Sequence, residues 1–167
     1  VTNNNTGTAS ATGGFVGCVT GTGNKFNDCR FDGSVISQKG NTDVGGFVGK
    51  SGADLEFTAC SVGGTIQSKG ERTGGFVGGL TAGATLQNCE FTGSITSGSN
   101  RVGGFVGHIK SSAALKFDNC KAGSAADVCS ITAEAKGYIG GLVGHTEAPL
   151  YISGCEFNGN VKGDGSS

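Results

Sequence analysis

The sequence predicts an all-β fold, a right-handed parallel β-helix (β-solenoid) of about five coils of ~30 residues, with three short strands per coil. Two landmarks share one period, and residue alternation supports them. A Gly-Gly-Phe-Val-Gly pentapeptide, with Leu for Phe in the last copy, starts at Gly13, Gly45, Gly74, Gly103 and Gly140. A cysteine follows each start by 15 to 17 residues, at Cys29, Cys60, Cys89, Cys120 and Cys155. Apolar and polar residues alternate after each cysteine, which is typical of a strand with one buried face.

Each repeat is predicted to contain three strands: one carrying the pentapeptide, one ending near the cysteine, and one running on from the cysteine. Leu55 and Phe57 lie five and three places before Cys60, so their phase is opposite to that of the apolar residues after it. A slip of one residue turns side chains to the other face, so a corner or bulge is expected just before each cysteine. Polar turns are predicted at Gln38–Asp43, Ser68–Thr73 and Ser97–Arg101.

The repeats organise residues 1–167 as one predicted solenoid domain, with repeats at about 13–44, 45–73, 74–102, 103–139 and 140–162. The fourth repeat is the longest, so we expect a loop between Lys121 and Val128, where small and polar residues cannot fill a core column. The strand is expected to resume at Cys129. Val1 and Val161 fall at the same phase of the repeat and neither end has an amphipathic cap, so we expect the chain to be a segment of a longer rod, covalent or assembled.

Stacking is expected because one repeat cannot bury its own apolar face, whereas stacked repeats close a continuous core. Like side chains would then form columns inside the rod. A propeller is the competing repeat fold, but its blades are commonly ~40 or more residues long, and these units are shorter. The spacing therefore favours the β-helix.

The composition excludes several classes of function. The net charge is −1, so no basic field attracts nucleic acid, and no apolar run is long enough to predict membrane insertion. The chain has 34 glycines but one proline and no three-residue period, so it is not collagen. We expect no nucleic-acid partner and no insertion into a membrane.

The repeat unit resembles a known motif. Gly-Gly-Phe/Leu-Val-Gly followed by Cys-x-Phe-x-Gly-x-Ile is similar to the GLUG repeat, and the resemblance runs from about Gly13 to Val161. GLUG repeats occur in bacterial surface proteins, including adhesin-like proteins and immunoglobulin-A-cleaving metallopeptidases. In those peptidases the repeats lie outside the zinc protease domain, so the resemblance implies no catalytic residue here.

Seven cysteines leave at least one unpaired within the chain. Parallel in-register strands point the Cβ vectors of a column the same way, which suits a disulfide poorly, so a buried thiol ladder is expected. Cys18 and Cys129 lie outside that column. If the protein is secreted, the disulfides Cys18–Cys29 and Cys120–Cys129 remain open alternatives.

Two histidines directly follow the pentapeptide in adjacent repeats. His108 and His145 should stack in one column with Gly79 and Lys50, and Cys18 shares that column three coils away. A metal site would need a third and a fourth ligand at matching positions. The sequence favours two exposed turn histidines, with no metal ion and no other cofactor.

The chain is predicted not to be an enzyme. Some β-helices cleave glycosides, a reaction that needs two carboxylates ~5–10 Å apart. Glu90 and Glu156 share a column, but they are two coils apart and Lys121 lies between them. No catalytic residue is therefore assigned.

The candidate ligand-facing surface is a ladder on the outer face of the strand after the cysteine. A flat hydroxyl-rich face could bind sugar, although β-propensity alone also favours Ser and Thr there. The ladder comprises Ser34, Thr65, Ser94, Ser130 and Asn160. The neighbouring column comprises Ile36, Gln67, Thr96, Thr132 and Lys162.

These features favour a non-catalytic structural or adhesion domain, secreted or on the cell surface, such as a stalk or adhesin module. Head-to-tail self-association would produce filaments, because a heterologous contact that does not close extends indefinitely. The alternative is a carbohydrate- or ligand-binding β-helix module that uses the ladder. The expected partner is a host or surface protein or a glycan.

Overall fold

The computed structural model describes residues 1–3, 10–38, 40, 42–134 and 136–163. Every regular element in these residues is a β-strand. Within the same residues, no helix is long and apolar enough to cross a membrane. The strands wind through about five coils and stack in parallel, which confirms the predicted β-solenoid.

The strands are numbered along the chain, with β1 (Thr2–Asn3) preceding the first complete coil. The first coil contains β2 (Ser10–Gly13), β3 (Val16–Val19), β4 (Asn24–Asn27), β5 (Arg30–Phe31) and β6 (Ser34–Ser37). The second contains β7 (Thr42–Gly45), β8 (Val48–Ser51), β9 (Leu55–Thr58), β10 (Ser61–Val62) and β11 (Thr65–Ser68). The third contains β12 (Arg72–Gly74), β13 (Val77–Leu80), β14 (Ala84–Gln87), β15 (Glu90–Phe91) and β16 (Ser94–Ser97). The fourth contains β17 (Arg101–Gly103), β18 (Val106–Ile109), β19 (Leu115–Asp118), β20 (Lys121–Ala122) and β21 (Cys129–Ala133). The fifth contains β22 (Tyr138–Gly140), β23 (Val143–Thr146), β24 (Leu150–Ser153), β25 (Glu156–Phe157) and β26 (Gly159–Gly163).

Equivalent strands of successive coils pair in parallel and form five sheets among the described residues. We number the sheets I to V by the order of their strands within a coil, so that sheet I contains β2, β7, β12, β17 and β22, and sheet V contains β6 and its equivalents together with β1. The pairing is in register at the repeat landmarks: Gly74, for example, pairs with Gly45 on one side and Gly103 on the other.

The structure divides two of the three predicted strands, so that each complete coil has five rather than three. The pentapeptide segment bends at its glycines into separate strands of sheets I and II. A Cβ on Gly74 would lie 2.1 Å from the Val77 carbonyl oxygen and 2.6 Å from that of Phe105, so only glycine fits this bend. The segment after the cysteine divides at Gly64, whose φ is +81°.

The predicted corner before each cysteine is present. Each of five residues directly before a column cysteine has positive φ, between 52° and 60°: Asp28, Ala59, Asn88, Asn119 and Gly154. This left-handed conformation turns the chain and shifts its inward phase between the third and fourth strands of the coil. Asp and Asn adopt it more readily than other non-glycine residues, which accounts for their recurrence here.

Ala59 is the one non-glycine residue at this corner in the described coils that is neither Asp nor Asn, and Ala59→Asn is expected to stabilise the fold. The left-handed conformation costs an ordinary residue about 1–2 kcal/mol, so a gain of up to ~1 kcal/mol is expected in the free energy of unfolding. Urea denaturation would measure it. Ala59→Val provides the opposite control, since a β-branched residue tolerates this conformation worst. Equal stability of the two variants would contradict the argument.

The core consists of apolar columns that run along the rod. Phe47, Phe76 and Phe105 are fully buried, and their rings stack at centroid distances of 5.1 and 4.8 Å. Phe57 packs edge-on against this column, 5.5 Å from Phe76. Offset and edge-to-face arrangements of this kind are the favourable ones for aromatic rings.

The fourth coil carries the predicted loop, with one correction. Ala122 does fill a core column: it pairs with Phe91 and is fully buried. Gly123 also follows the coil, because its amide donates to the Phe91 carbonyl at 2.7 Å. The chain resumes as predicted at Cys129, which pairs with Gly159, so the inserted segment is 124–128.

Candidate functional site

The predicted ladder is present as a column on sheet V. Its five side chains pair in register, and all are exposed or half-buried. The residues after them, such as Ile66 and Ile95, are buried in the core. The Ser94 hydroxyl lies 3.5 Å from that of Thr65. The ladder is thus an outward row of small polar groups, and its role as a ligand surface stays a prediction.

A shallow cleft of about 290 Å³ lies beside the second predicted column. It is lined by Gln67 and Thr96 of that column and by Lys69 and Glu134. These side chains offer an amide, a hydroxyl, an ammonium and a carboxylate, which can all hydrogen-bond to sugar hydroxyls. The cleft extends the candidate binding surface beyond the ladder.

The cysteine column is a ladder of thiols. All seven cysteines lie in the described part of the chain and are free, so neither Cys18–Cys29 nor Cys120–Cys129 is bridged here, and those disulfides stay a prediction. In the column, Cys60 and Cys89 are buried together with Cys120. Burial raises the pKa of the Cys60 thiol, whose sulfur lies 3.3 Å from the Thr58 carbonyl oxygen and 3.2 Å from that of Phe26, so its one S–H can donate to either.

Thiol labelling under native conditions should therefore give one fast-reacting group. Cys18 is the exposed cysteine, whereas the other six are buried or half-buried, so a reagent in solution reaches them more slowly. Labelling with a chromogenic disulfide reagent should lose its fast phase in Cys18→Ser. Unfolding without a reductant should release all seven thiols. A total below seven, restored by reductant, would instead establish a bridge.

The structure corrects the prediction for the histidines. His108 and His145 stack as expected, with ring centroids 4.9 Å apart and planes within 6°. They lie in strands β18 and β23 rather than in turns. His108 is only 4% exposed and His145 is half-buried. Their Nδ1 atoms are buried without hydrogen-bond partners among the described residues.

The burial of His108 arises from the close approach of sheets I and II. A Cβ on Gly107 would lie 2.6 Å from the backbone nitrogen of Thr73, so the two sheets meet almost backbone to backbone. Their outward side chains consequently pack against one another along the rod. We call this row the polar seam, comprising Asp43, Arg72, Arg101 and Tyr138 of sheet I and Lys50, Gly79, His108 and His145 of sheet II.

Charged groups in the polar seam are partly desolvated. Arg72 Nε lies 2.5 Å from Asp43 Oδ1, an ion pair with the carboxylate almost fully buried. Burial nevertheless raises the pKa of Asp43, against the opposing effect of Arg72. Burial likewise lowers the pKa of His108, with Arg101 and His145 adding to this effect and the Glu147 carboxylate opposing it. His108 Nε2 and Glu147 Oε1 are 3.2 Å apart.

Sequence reasoning missed Glu147 and the sheet I members of the polar seam. Asp43, Arg72, Arg101 and Tyr138 each lie two places before a pentapeptide, a constant position that could have identified them. The polar residues around this position predict turns. The packing of the two sheets against each other is a long-range contact that no local sequence pattern shows.

The acidic column also has the predicted arrangement. Lys121 pairs with Glu90 on one side and Glu156 on the other, and its ammonium lies 3.6 Å from the Glu156 carboxylate. The lysine thus separates the two carboxylates.

Comparison with known families identifies one motif. The GLUG motif matches residues 69–96, which include strands β12 to β15 and all but the last residue of β16 in the third coil. No curated protein and no solved structure shows significant similarity to the chain.

Proposed function

We propose that this GLUG-repeat solenoid is a non-catalytic stalk or adhesion domain of a secreted or cell-surface protein. One observation supports the proposal most strongly: the apolar columns continue from coil to coil in strict register. Each coil contacts mainly its neighbours, so the domain is a rigid element whose length scales with coil number. Five coils at the ~4.8 Å strand spacing span roughly 25 Å.

The terminal coils favour head-to-tail association with a second copy. Phe15 is 49% exposed at one end, and Ile152 and Phe157 are 50% and 39% exposed at the other. Stacking a second copy in the same register would place its Phe15 over Leu142, the last residue of the same column. Apolar side chains terminate the columns at both ends of the described part of the chain, and the end strands, each paired on one side only among the described residues, favour further pairing.

Size-exclusion chromatography with light scattering tests this association. Wild type should form larger species as its concentration rises, visible as rods by electron microscopy. Ile152→Lys places a charge on the open column and should give monomers. Tyr151→Lys is the matched control, because Tyr151 continues the outward column of Lys116 whereas Ile152 continues the buried column of Phe117, and it should leave association intact. A wild-type protein that stays monomeric at high concentration would contradict head-to-tail association.

Surface exposure of the domain is tested separately. An antibody against the purified domain should label intact, non-permeabilised cells of the native organism or detect the protein in the medium. Labelling only after permeabilisation would contradict an extracellular role.

A second candidate function is carbohydrate binding, favoured by the in-register ladder and the adjoining cleft. A glycan array with the purified domain would test it. Binding that is lost in Thr65→Lys but kept in Lys116→Ala, on another sheet, would support the ladder as the site. A domain that binds no glycan would contradict this second function.

A further inference from the structure

We propose that His108, His145 and Glu147 bind a first-row transition-metal ion such as Zn²⁺ at the fourth and fifth coils. One ligand atom from each residue lies within 4.8 Å of the others. Two imidazoles and one carboxylate are a donor set that Zn²⁺ accepts, with a water in the fourth position. The proposal revises the expectation, drawn from sequence, that no metal binds.

The two imidazoles are held in place before any ion binds. Their strands pair in register, and Tyr138 stacks on the outer side of His145 at a centroid distance of 4.3 Å. An ordered pair of this kind loses little side-chain entropy when it binds a ligand, even where one ring has to tilt. Glu147 is exposed, so its carboxylate can adjust to the ion.

The two nitrogens of the His108 ring have different surroundings. Nε2 faces Glu147 Oε1 at 3.2 Å and is the atom that would bind the ion. The Nδ1 atoms of His108 and His145 are buried and lack hydrogen-bond partners among the described residues. An ion bound through Nε2 would leave Nδ1 unchanged, so the closeness of the three ligand atoms, and not the Nδ1 atoms, indicates the site.

Coordination requires a modest contraction. Tetrahedral Zn²⁺ with bonds of about 2.1 Å places its ligands roughly 3.4 Å apart. The His108–Glu147 pair is already at 3.2 Å. Tilting of the His145 ring and rotation of the Glu147 side chain would close the remaining separation.

Neighbouring charges set the affinity. Arg101 faces His108 and disfavours a cation, whereas the charge of Arg72 is offset by its ion pair with Asp43. Arg101→Gln should therefore tighten Zn²⁺ binding several-fold at low salt, because one like charge leaves a partly buried site. A purely adventitious surface site far from Arg101 would not respond.

Isothermal titration of the reduced full chain with ZnCl₂ tests the site. We expect one ion per chain and a rise in melting temperature with Zn²⁺ concentration. Loss of a residue that only supports a metal ligand already costs ~10-fold or more in affinity. His145→Ala and Glu147→Gln remove ligands themselves, so each should weaken Zn²⁺ binding at least ~10-fold. Glu134→Gln is the matched control, because Glu134 is an exposed acid that directly follows strand β21 of sheet V.

Cysteine is the main competing ligand, so two further measurements separate it from the proposed site. Cys18→Ser should leave affinity unchanged. Co²⁺ bound to wild type should show tetrahedral d–d bands without thiolate charge transfer, a readout that needs no variant. Absence of binding, equal binding by His145→Ala, or a thiolate spectrum would each overturn the proposal.

Discussion

Gly74→Ala is expected to lower the free energy of unfolding by ~3 kcal/mol or more, the upper part of the range for overpacked sites. The added Cβ would meet three backbone atoms: the Val77 oxygen at 2.1 Å, the Phe105 oxygen at 2.6 Å and the Gly107 nitrogen at 2.7 Å. Backbone atoms cannot rotate away as a side chain can. The bend between sheets I and II would have to open, and urea denaturation would record the loss.

Gly98→Ala is the matched control in the same repeat. Its added Cβ would have no neighbour closer than 3.9 Å, so there is space for a methyl group. We expect a change within about 1 kcal/mol, of either sign, because alanine also reduces the entropy of the unfolded chain. Similar losses for both variants would mean that glycine acts through chain flexibility and not through the close approach of the two sheets.

The fold could be predicted from sequence because its landmarks repeat. The pentapeptide and the cysteine fix the period, and a shared period fixes the register of every sheet. The opposite phases of Phe57 and Cys60 also located the corner, which the structure places at Ala59 with φ 53°. The number of strands per coil could not be predicted from the sequence, because the bend at Gly74 depends on contacts with Phe105 in the next coil.

The candidate sites also differ in how far they could be predicted from the sequence. The ladder at Ser34 and its equivalents followed from register alone, because local alternation decides which side chains point outward. The burial of His108 did not, because it depends on two sheets packing together across a bend. The Glu147 contact with His108 joins residues 39 apart and lies off the repeat register, so no periodic signal marks it.

Phe76→Ala is expected to destabilise the protein by about 3–5 kcal/mol, as for other buried phenylalanines. Phe76 is fully buried and touches the rings of Phe47, Phe57 and Phe105, so its removal leaves a cavity bounded by rigid columns. The surrounding strands are held by in-register pairing on both sides and cannot collapse into the space. Calorimetry or urea denaturation would measure the loss.

Phe15→Ala is the control at the end of the same column, and it should cost only about 1 kcal/mol because roughly half of the ring is already in water. Both variants should be compared at dilute concentration, where end-to-end association does not bury Phe15.

The position of each coil within the array should increase the difference in stability between the Phe76 and Phe15 variants. Loosening the third coil leaves two coils on each side, fewer than the three repeats that a solenoid normally needs, so the whole array should unfold together. Loosening the first coil leaves four intact. Equal losses at Phe76 and Phe15 would show that the coils contribute independently and would contradict a core that is cooperative along the rod.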